Sequence, residues 1–154
     1  MDGLWEAAAF QRERRIIADQ EAKSDIYICA DDDCLPESEP FIQKALAIMG
    51  RHPDYGILSL WPSNEHIHPW TPPDEEKPLL VSGVAHHDTE VMEHVSVGGI
   101  RFCRKGVMGE WPALEGRGYD GTHCMALRKA GYRAGYFLDI LMTHVGKSYS
   151  TVWR

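Results

Sequence analysis

The chain has 154 residues, of which 44% are hydrophobic and 25% are charged, the profile of one ordinary folded domain. No apolar run approaches the ~18 residues that a membrane span needs, and the opening MDGLWEAAAFQRERR lacks the apolar core of a secretory signal. We therefore expect a cytoplasmic protein without a membrane span. Sixteen basic residues stand against 23 acidic ones, and the net charge of −7 argues against binding nucleic acid through many phosphate contacts.

The predicted elements begin with an amphipathic helix over residues 3–22. Arg12 falls in the middle of its apolar face, where it either reaches the edge of that face or points into a site that takes positive charge. From the helix alone, the first interpretation is the better one. A buried strand at 26–30, a helix at 41–49 and a second buried strand at 55–61 follow.

Residues 62–78 hold five prolines and show no periodicity, so they predict an irregular excursion, which could close over a site as part of a longer loop at 62–96. The remaining predicted elements are a short strand at 79–82, a longer strand at 94–104, a glycine-rich connection at 109–119, a helix at 120–130, and strands at 133–138 and 142–145. Arg128 and Arg133 are expected on a solvated helix face and at a strand edge. This order predicts an α/β domain with a mostly parallel sheet and some later antiparallel or mixed strands.

The cysteines form no CxxC pair, so free thiols are expected. Cys29 and Cys103 fall in predicted strands and are interpreted as small core residues, whereas Cys34 follows an acidic cluster and is interpreted as incidental. Either of two histidine pairs could bind a transition metal, although polar loop residues are the simpler interpretation; these pairs are His66 with His68, and His86 with His87.

Three consecutive carboxylates, Asp31, Asp32 and Asp33, follow the first buried strand. Such close like charges repel one another, and α/β folds place their ligands at this end of a strand. Mg²⁺ or Mn²⁺ held by carboxylates and substrate phosphates would relieve the repulsion. In an extended segment Asp31 and Asp33 point to one side and Asp32 to the other, so the first and third form the predicted pair. A solvated acidic turn without a ligand is an equally good interpretation of these three residues.

Several segments in a fixed order resemble the family 2 glycosyltransferases of the GT-A fold. They are DIYICA followed by DDDCLP, then VGGIRFCRKGVM, then the stretch from Asp120 to AGYR at 130–133, and finally His144 two residues before Gly146. The resemblance covers roughly residues 4–147. It implies a truncated GT-A, Rossmann-like mixed sheet flanked by helices, in a single domain over 1–154 that lacks the usual first strands, which hold the nucleotide base.

The resemblance also implies roles for individual residues. Asp31 and Asp33 would hold Mn²⁺ or Mg²⁺ on the nucleotide diphosphate, with Asp33 the more direct ligand, and His144 would be a further ligand. Asp120 would be the catalytic base. The residues implied to line the donor and acceptor sites are Arg12, Asp32 and Trp111.

Each role has an ordinary structural alternative. Asp120 could cap its helix, His144 could be a core or surface histidine, and Trp111 could serve packing. The family's acidic residue before the base is Tyr119 here, and the second acid after it is Thr122, which bears on the assignment of the base.

The expected function is therefore metal-dependent, inverting transfer of a sugar from a nucleotide-sugar donor to a saccharide or other hydroxyl acceptor. Two alternatives stay open: a non-catalytic GT-A-like module that binds a nucleotide or a partner, and a histidine-rich metal-binding protein. Exposed apolar edges of a shortened sheet would favour a homo-oligomer.

Overall fold

The computed structural model describes residues 13–72, 74, 77–107 and 119–145. Its helices are α1 (13–21), α2 (Phe41–Arg51) and α3 (Tyr119–Lys129), and a 3₁₀ turn covers Lys77–Leu79. Its strands are β1 (Ile26–Cys29), β2 (Cys34–Pro36), β3 (Tyr55–Pro62), β4 (Val91–Glu93), β5 (Arg101–Arg104) and β6 (Arg133–His144). No helix in these segments combines the length and apolar character needed to cross a membrane.

The six described strands form one mixed sheet with helices packed against it, in the order β1-β5-β3-β6-β2, and β4 pairs with β6 beside this path. The α/β class is therefore confirmed. The mostly parallel sheet is wrong: among the described pairings β3 with β6 is parallel, and the others are antiparallel. The reason is that β5 lies between β1 and β3 and runs against both of them.

One long strand, β6, replaces the two short strands predicted at 133–138 and 142–145. Its first half pairs with β3 and β4, and its last three residues pair with β2. A register shift between Ser59 and Trp61 of β3 leaves residues 137–140 of β6, among them the polar Asp139, without a partner in β3. The strand is thus paired with β3 on both sides of this irregularity.

Residues 79–104 depart most from the sequence prediction. The strand at 79–82 is wrong, because a 3₁₀ turn and bends occupy this stretch, and the sequence did not predict β4. The strand at 94–104 shortens to β5, because Gly99 takes a φ of +80° that an extended strand cannot contain. By contrast, α3 ends as expected before Gly131, whose φ of +86° closes the helix.

Two apolar cores cover the two faces of the sheet. The core beneath α2 contains Ala45, Ile48, Met49, Leu58, Phe102 and Phe137. The core beneath α3 contains Ile57, Cys103, Cys124, Leu127 and Ala134. Neighbouring residues such as Ile57 and Leu58 go to opposite cores, as the alternation of side chains along a strand requires. Both faces of β3 are therefore buried, which explains its continuous apolar sequence.

Arg128, expected on a solvated helix face, and Arg133, expected at a strand edge, are both buried. Arg128 donates to the backbone oxygens of residues 94 and 95, at 3.3 and 3.0 Å. Arg133 binds the buried Glu93 at 2.5 Å and Asp54 at 2.8 Å. The charge of Arg133 is compensated by these two carboxylates, whereas the guanidinium of Arg128 is satisfied by backbone oxygen atoms.

We expect Arg133→Met to lower the free energy of unfolding by about 3–5 kcal/mol, because it leaves the carboxylate of Glu93 buried without its cation. Arg51→Met is the matched control, since Arg51 also pairs with a glutamate, Glu90, but at the surface. This control should change stability little. Urea unfolding of both variants measures the difference, and equal losses would contradict the role given to the buried pair.

Candidate functional site

The acidic residues after β1 lie in a turn. The backbone N–H of Cys34 donates to the backbone oxygen of Asp31 at 3.3 Å, and residues 32 and 33 form the bend. The assumption of an extended segment is therefore wrong, and Asp31 and Asp33 contact different partners. Asp31 contacts Arg101, Asp33 contacts His144, and Asp32 is exposed to solvent.

Asp33, Cys34 and His144 form a group of potential metal donors, which we call the donor group. Their ligand atoms all lie within 4.8 Å of one another. Asp33 Oδ2 is 3.0 Å from His144 Nε2, and the Cys34 thiol donates to Asp33 Oδ1 at 3.7 Å. Cys34 and His144 are directly opposite partners in the β2–β6 ladder, so the sheet itself brings them together.

The first residues of the irregular excursion orient His144. Glu65 Oε1 lies 2.5 Å from the ring Nδ1, and Asn64 binds the backbone of His144 on both sides, accepting from its N–H at 3.0 Å and donating to its oxygen at 2.7 Å. The hydrogen bond from the His144 ring to Glu65 is the largest cause that raises the pKa of His144, and Asp33 adds to it. The ring therefore lies between two carboxylates.

Cys34 was interpreted as incidental, yet its side chain belongs to the donor group and is only 7% exposed. Burial, together with the carboxylates of Asp33 and Asp31, raises the pKa of the Cys34 thiol to about 12. Negative charge is thus concentrated around a buried sulfur atom, and a bound cation would relieve it.

A second cluster is centred on Arg101 of β5, whose residue surface is 1% exposed. Its guanidinium donates to Asp31 Oδ1 at 2.5 Å and to Asp120 Oδ1, and Asp31 Oδ2 accepts the backbone N–H of Gly99 at 2.9 Å. Burial is the largest cause that raises the pKa of Asp120; Arg101 opposes this effect and Asp31 adds to it. Gly99 also lies against Cys34, so the two clusters adjoin.

Two predicted site residues, Arg12 and Trp111, lie outside the described residues. The sequence prediction missed Arg15 of α1, which is buried and contacts the ring of His123 at 3.3 Å. It also missed Arg101, although an arginine within the apolar segment VGGIRFCR is a usable signal. Glu65 lies in the irregular excursion, where no pattern could have identified it.

The paired histidines do not join the donor group. His86 has its own partners, with Nδ1 2.8 Å from the Tyr55 hydroxyl and Nε2 3.6 Å from Asp88. Within the described part of the chain, neither His66, His68, His86 nor His87 belongs to a group of three donors as close as the one at Asp33. These contacts give His86 a structural role.

The donor group fits a softer divalent metal ion better than the expected Mg²⁺ or Mn²⁺. It offers one oxygen, one sulfur and one nitrogen atom, whereas Mg²⁺ and Mn²⁺ favour oxygen ligands. The second carboxylate of the predicted pair, Asp31, is engaged by Arg101 and Gly99. Asp33 and His144, two of the predicted metal ligands, belong to the donor group, whereas the sulfur atom of Cys34 was not part of the prediction.

No protein-family model, curated protein or solved structure matched this chain in the comparisons with known proteins. The geometry of its own residues is therefore the basis for the functional proposal.

We expect Glu65→Gln to lower the pKa of His144 in the metal-free protein, because the variant removes the largest cause of its elevation. A raised histidine pKa stabilises the fold below the unfolded value of about 6.5, and this contribution disappears as the pH rises through the folded pKa. The difference in unfolding free energy between the wild type and the variant should thus be largest at mildly acid pH and small at alkaline pH.

Titration of the ring by NMR and urea unfolding across pH, both with a chelator present, measure these effects. Glu37→Gln is the control, since Glu37 accepts from Ser63 and Thr143 instead. A stability difference that widens with rising pH would contradict the proposed contact between Glu65 and a protonated His144.

Proposed function

We propose that this chain is a metal-dependent glycosyltransferase of the GT-A type, which transfers a sugar from a nucleotide-sugar donor to an acceptor hydroxyl with inversion. One observation carries the proposal: Asp33 and His144, 111 positions apart in sequence, meet at 3.0 Å. The family resemblance assigns these two residues to the metal on the donor diphosphate. Their meeting at strand ends, in a site open to solvent, supports that assignment.

The surroundings of Asp120 support its assignment as the base. Arg101 holds Oδ1, while Oδ2 faces Gly98, where a Cβ atom would lie only 3.2 Å away. The side chain is 35% exposed. A base needs one oxygen fixed for orientation and contact with the acceptor hydroxyl, and the hydrogen bond from Arg101 together with the partial exposure of the side chain is compatible with both.

The transfer involves one bond formed and one bond broken. The acceptor oxygen forms a bond to the anomeric carbon, its proton passes to Asp120, and the bond from that carbon to the phosphate oxygen breaks with its electron pair leaving on the nucleoside diphosphate. A divalent metal held by Asp33 and His144 would supply positive charge for this leaving group. Asp120 must be ionised, so transfer should decline as the pH falls through its raised pKa.

The non-catalytic alternative also has an observation in its favour. Arg101 donates to both Asp31 and Asp120, so each of these two carboxylates has a cationic partner inside the protein without any ligand. A module that binds a nucleotide without transfer would keep the same network. Release of nucleoside diphosphate from a panel of nucleotide sugars distinguishes the two functions, because only the enzyme turns over the donor.

We expect Asp120→Asn to reduce transfer by roughly 10²- to 10⁴-fold, the usual contribution of a general base, while nucleotide binding persists. The measurement is release of nucleoside diphosphate in the presence of a divalent metal, with binding followed by calorimetry. Asp139→Asn, an exposed aspartate of β6, is the matched control and should keep full turnover. Full turnover by Asp120→Asn would exclude this residue as the base.

We expect Asp33→Ala to abolish the metal-dependent part of nucleoside diphosphate binding, because the variant removes a carboxylate that contacts His144. Calorimetric titration with and without metal gives this part directly, and Asp139→Ala controls for loss of charge. Unchanged metal-dependent binding would rule out the site at Asp33.

A further inference from the structure

The three members of the donor group supply three different kinds of atom at fixed places. Cys34 faces His144 across the β2–β6 ladder, and Asp33 is the neighbour of Cys34 in the chain. The backbone of the same two segments is joined again where the N–H of Val145 donates to the oxygen of Asp33 at 2.7 Å. A carboxylate, a thiol and an imidazole are thus placed together by the sheet.

We propose that Asp33, Cys34 and His144 bind a thiophilic divalent cation of the Zn²⁺ class in preference to Mg²⁺, with a remaining coordination position for a donor phosphate oxygen. The choice of ion stands on the donor atoms alone, whereas the occupant of the remaining position rests on the proposed function. Three protein ligands with one position left for substrate is the usual arrangement in catalytic zinc sites.

The hydrogen bonding of His144 agrees with this choice. Its Nδ1 faces Glu65 at 2.5 Å, which leaves Nε2 on the side of Asp33 and Cys34. A histidine that binds zinc through one ring nitrogen commonly donates the other ring N–H to a carboxylate, which fixes both tautomer and orientation. Glu65 would therefore hold the ligand in place without binding the ion.

Among the described residues, the ligand atoms of the donor group are mostly not the kind that Mg²⁺ prefers. Mg²⁺ takes oxygen ligands, usually several waters with one or two carboxylates and substrate phosphates, whereas the donor group combines one carboxylate with a sulfur and a nitrogen atom. Asp31, which could supply a second carboxylate, is held by Arg101 at 2.5 Å and by the N–H of Gly99 at 2.9 Å. The affinity order of divalent metals and the preference of thiolate for soft ions both favour Zn²⁺.

The test uses the full chain, freed of metal by a chelator. Zn²⁺ affinity is measured by competition with a chromophoric chelator, and Co²⁺ serves as a spectroscopic substitute whose near-ultraviolet charge-transfer band reports a thiolate ligand. We expect one tight Zn²⁺ per chain, a thiolate band with Co²⁺, and no displacement of Zn²⁺ by a large excess of Mg²⁺.

Cys34→Ser should remove the thiolate band and weaken Zn²⁺ binding by more than the roughly 10- to 100-fold that loss of an outer partner costs. Glu65→Gln should keep the band and lose roughly 10- to 100-fold in affinity. This variant leaves the donor group intact and keeps the proposal testable if Cys34→Ser fails to fold. Cys29→Ser, a thiol of β1 outside the donor group, is the matched control and should change neither result.

Three results would overturn the proposal: a wild type without a thiolate band, displacement of Zn²⁺ by Mg²⁺, or tight Zn²⁺ binding lost only on replacing the histidines at 66, 68, 86 and 87. The result for the metal site can be distinguished from the result for the proposed function. Zn²⁺ binding at Cys34 without donor turnover supports the metal site and contradicts the transferase. Mg²⁺-dependent turnover that Cys34→Ser leaves unchanged supports the transferase and contradicts the Zn²⁺ site.

Discussion

The pairing of β6 with several other strands is the constraint on which the described structure depends. This strand lies parallel to β3, antiparallel to β4 along its first half, and antiparallel to β2 at its end. A shift of one residue in this register would move its apolar side chains to the wrong core and would separate His144 from Cys34. The position of the donor group is therefore a property of the whole sheet.

Charge compensation inside the domain is the second organising feature. Arg101, Arg128 and Arg133 are nearly inaccessible, and each meets oxygen atoms from segments distant in sequence. Arg101 in particular joins the turn after β1 to the first turn of α3. The buried ion pairs of Arg101 and Arg133 fix the relative positions of the segments that carry the acids, because removing one partner leaves another uncompensated.

The sequence predicted the elements whose pattern is local and missed what depends on distant contacts. The strand at 55–61 and the helix at 41–49 have apolar patterns long enough to identify them, and the structure confirms both. β4 has three residues and is a strand only because β6 passes beside it. The antiparallel direction of β5 could not be predicted either, because its own residues do not indicate which strands pair with it.

The candidate site divides in the same way. The sequence drew attention to Asp33 and His144 through the resemblance, and the structure brings them into contact. Asp31 was assigned with Asp33 on the assumption of an extended backbone, but residues 31–33 form a turn in which Asp31 contacts Arg101 and Asp33 contacts His144. Cys34 and Glu65 lie beside His144, which is distant from both of them in sequence. No local sequence pattern could therefore have identified their positions in the candidate site.

The amide of Asn64 substitutes for a neighbouring strand at the end of β6. By accepting from the N–H of His144 and donating to its oxygen, this side chain imitates the pair of backbone contacts that a strand would make. Trp70, farther along the same excursion, stacks on the Arg128 guanidinium of α3 at 4.8 Å. The excursion is thus attached at both places, so a movement of this surface segment cannot occur without disturbing the imidazole and its partners.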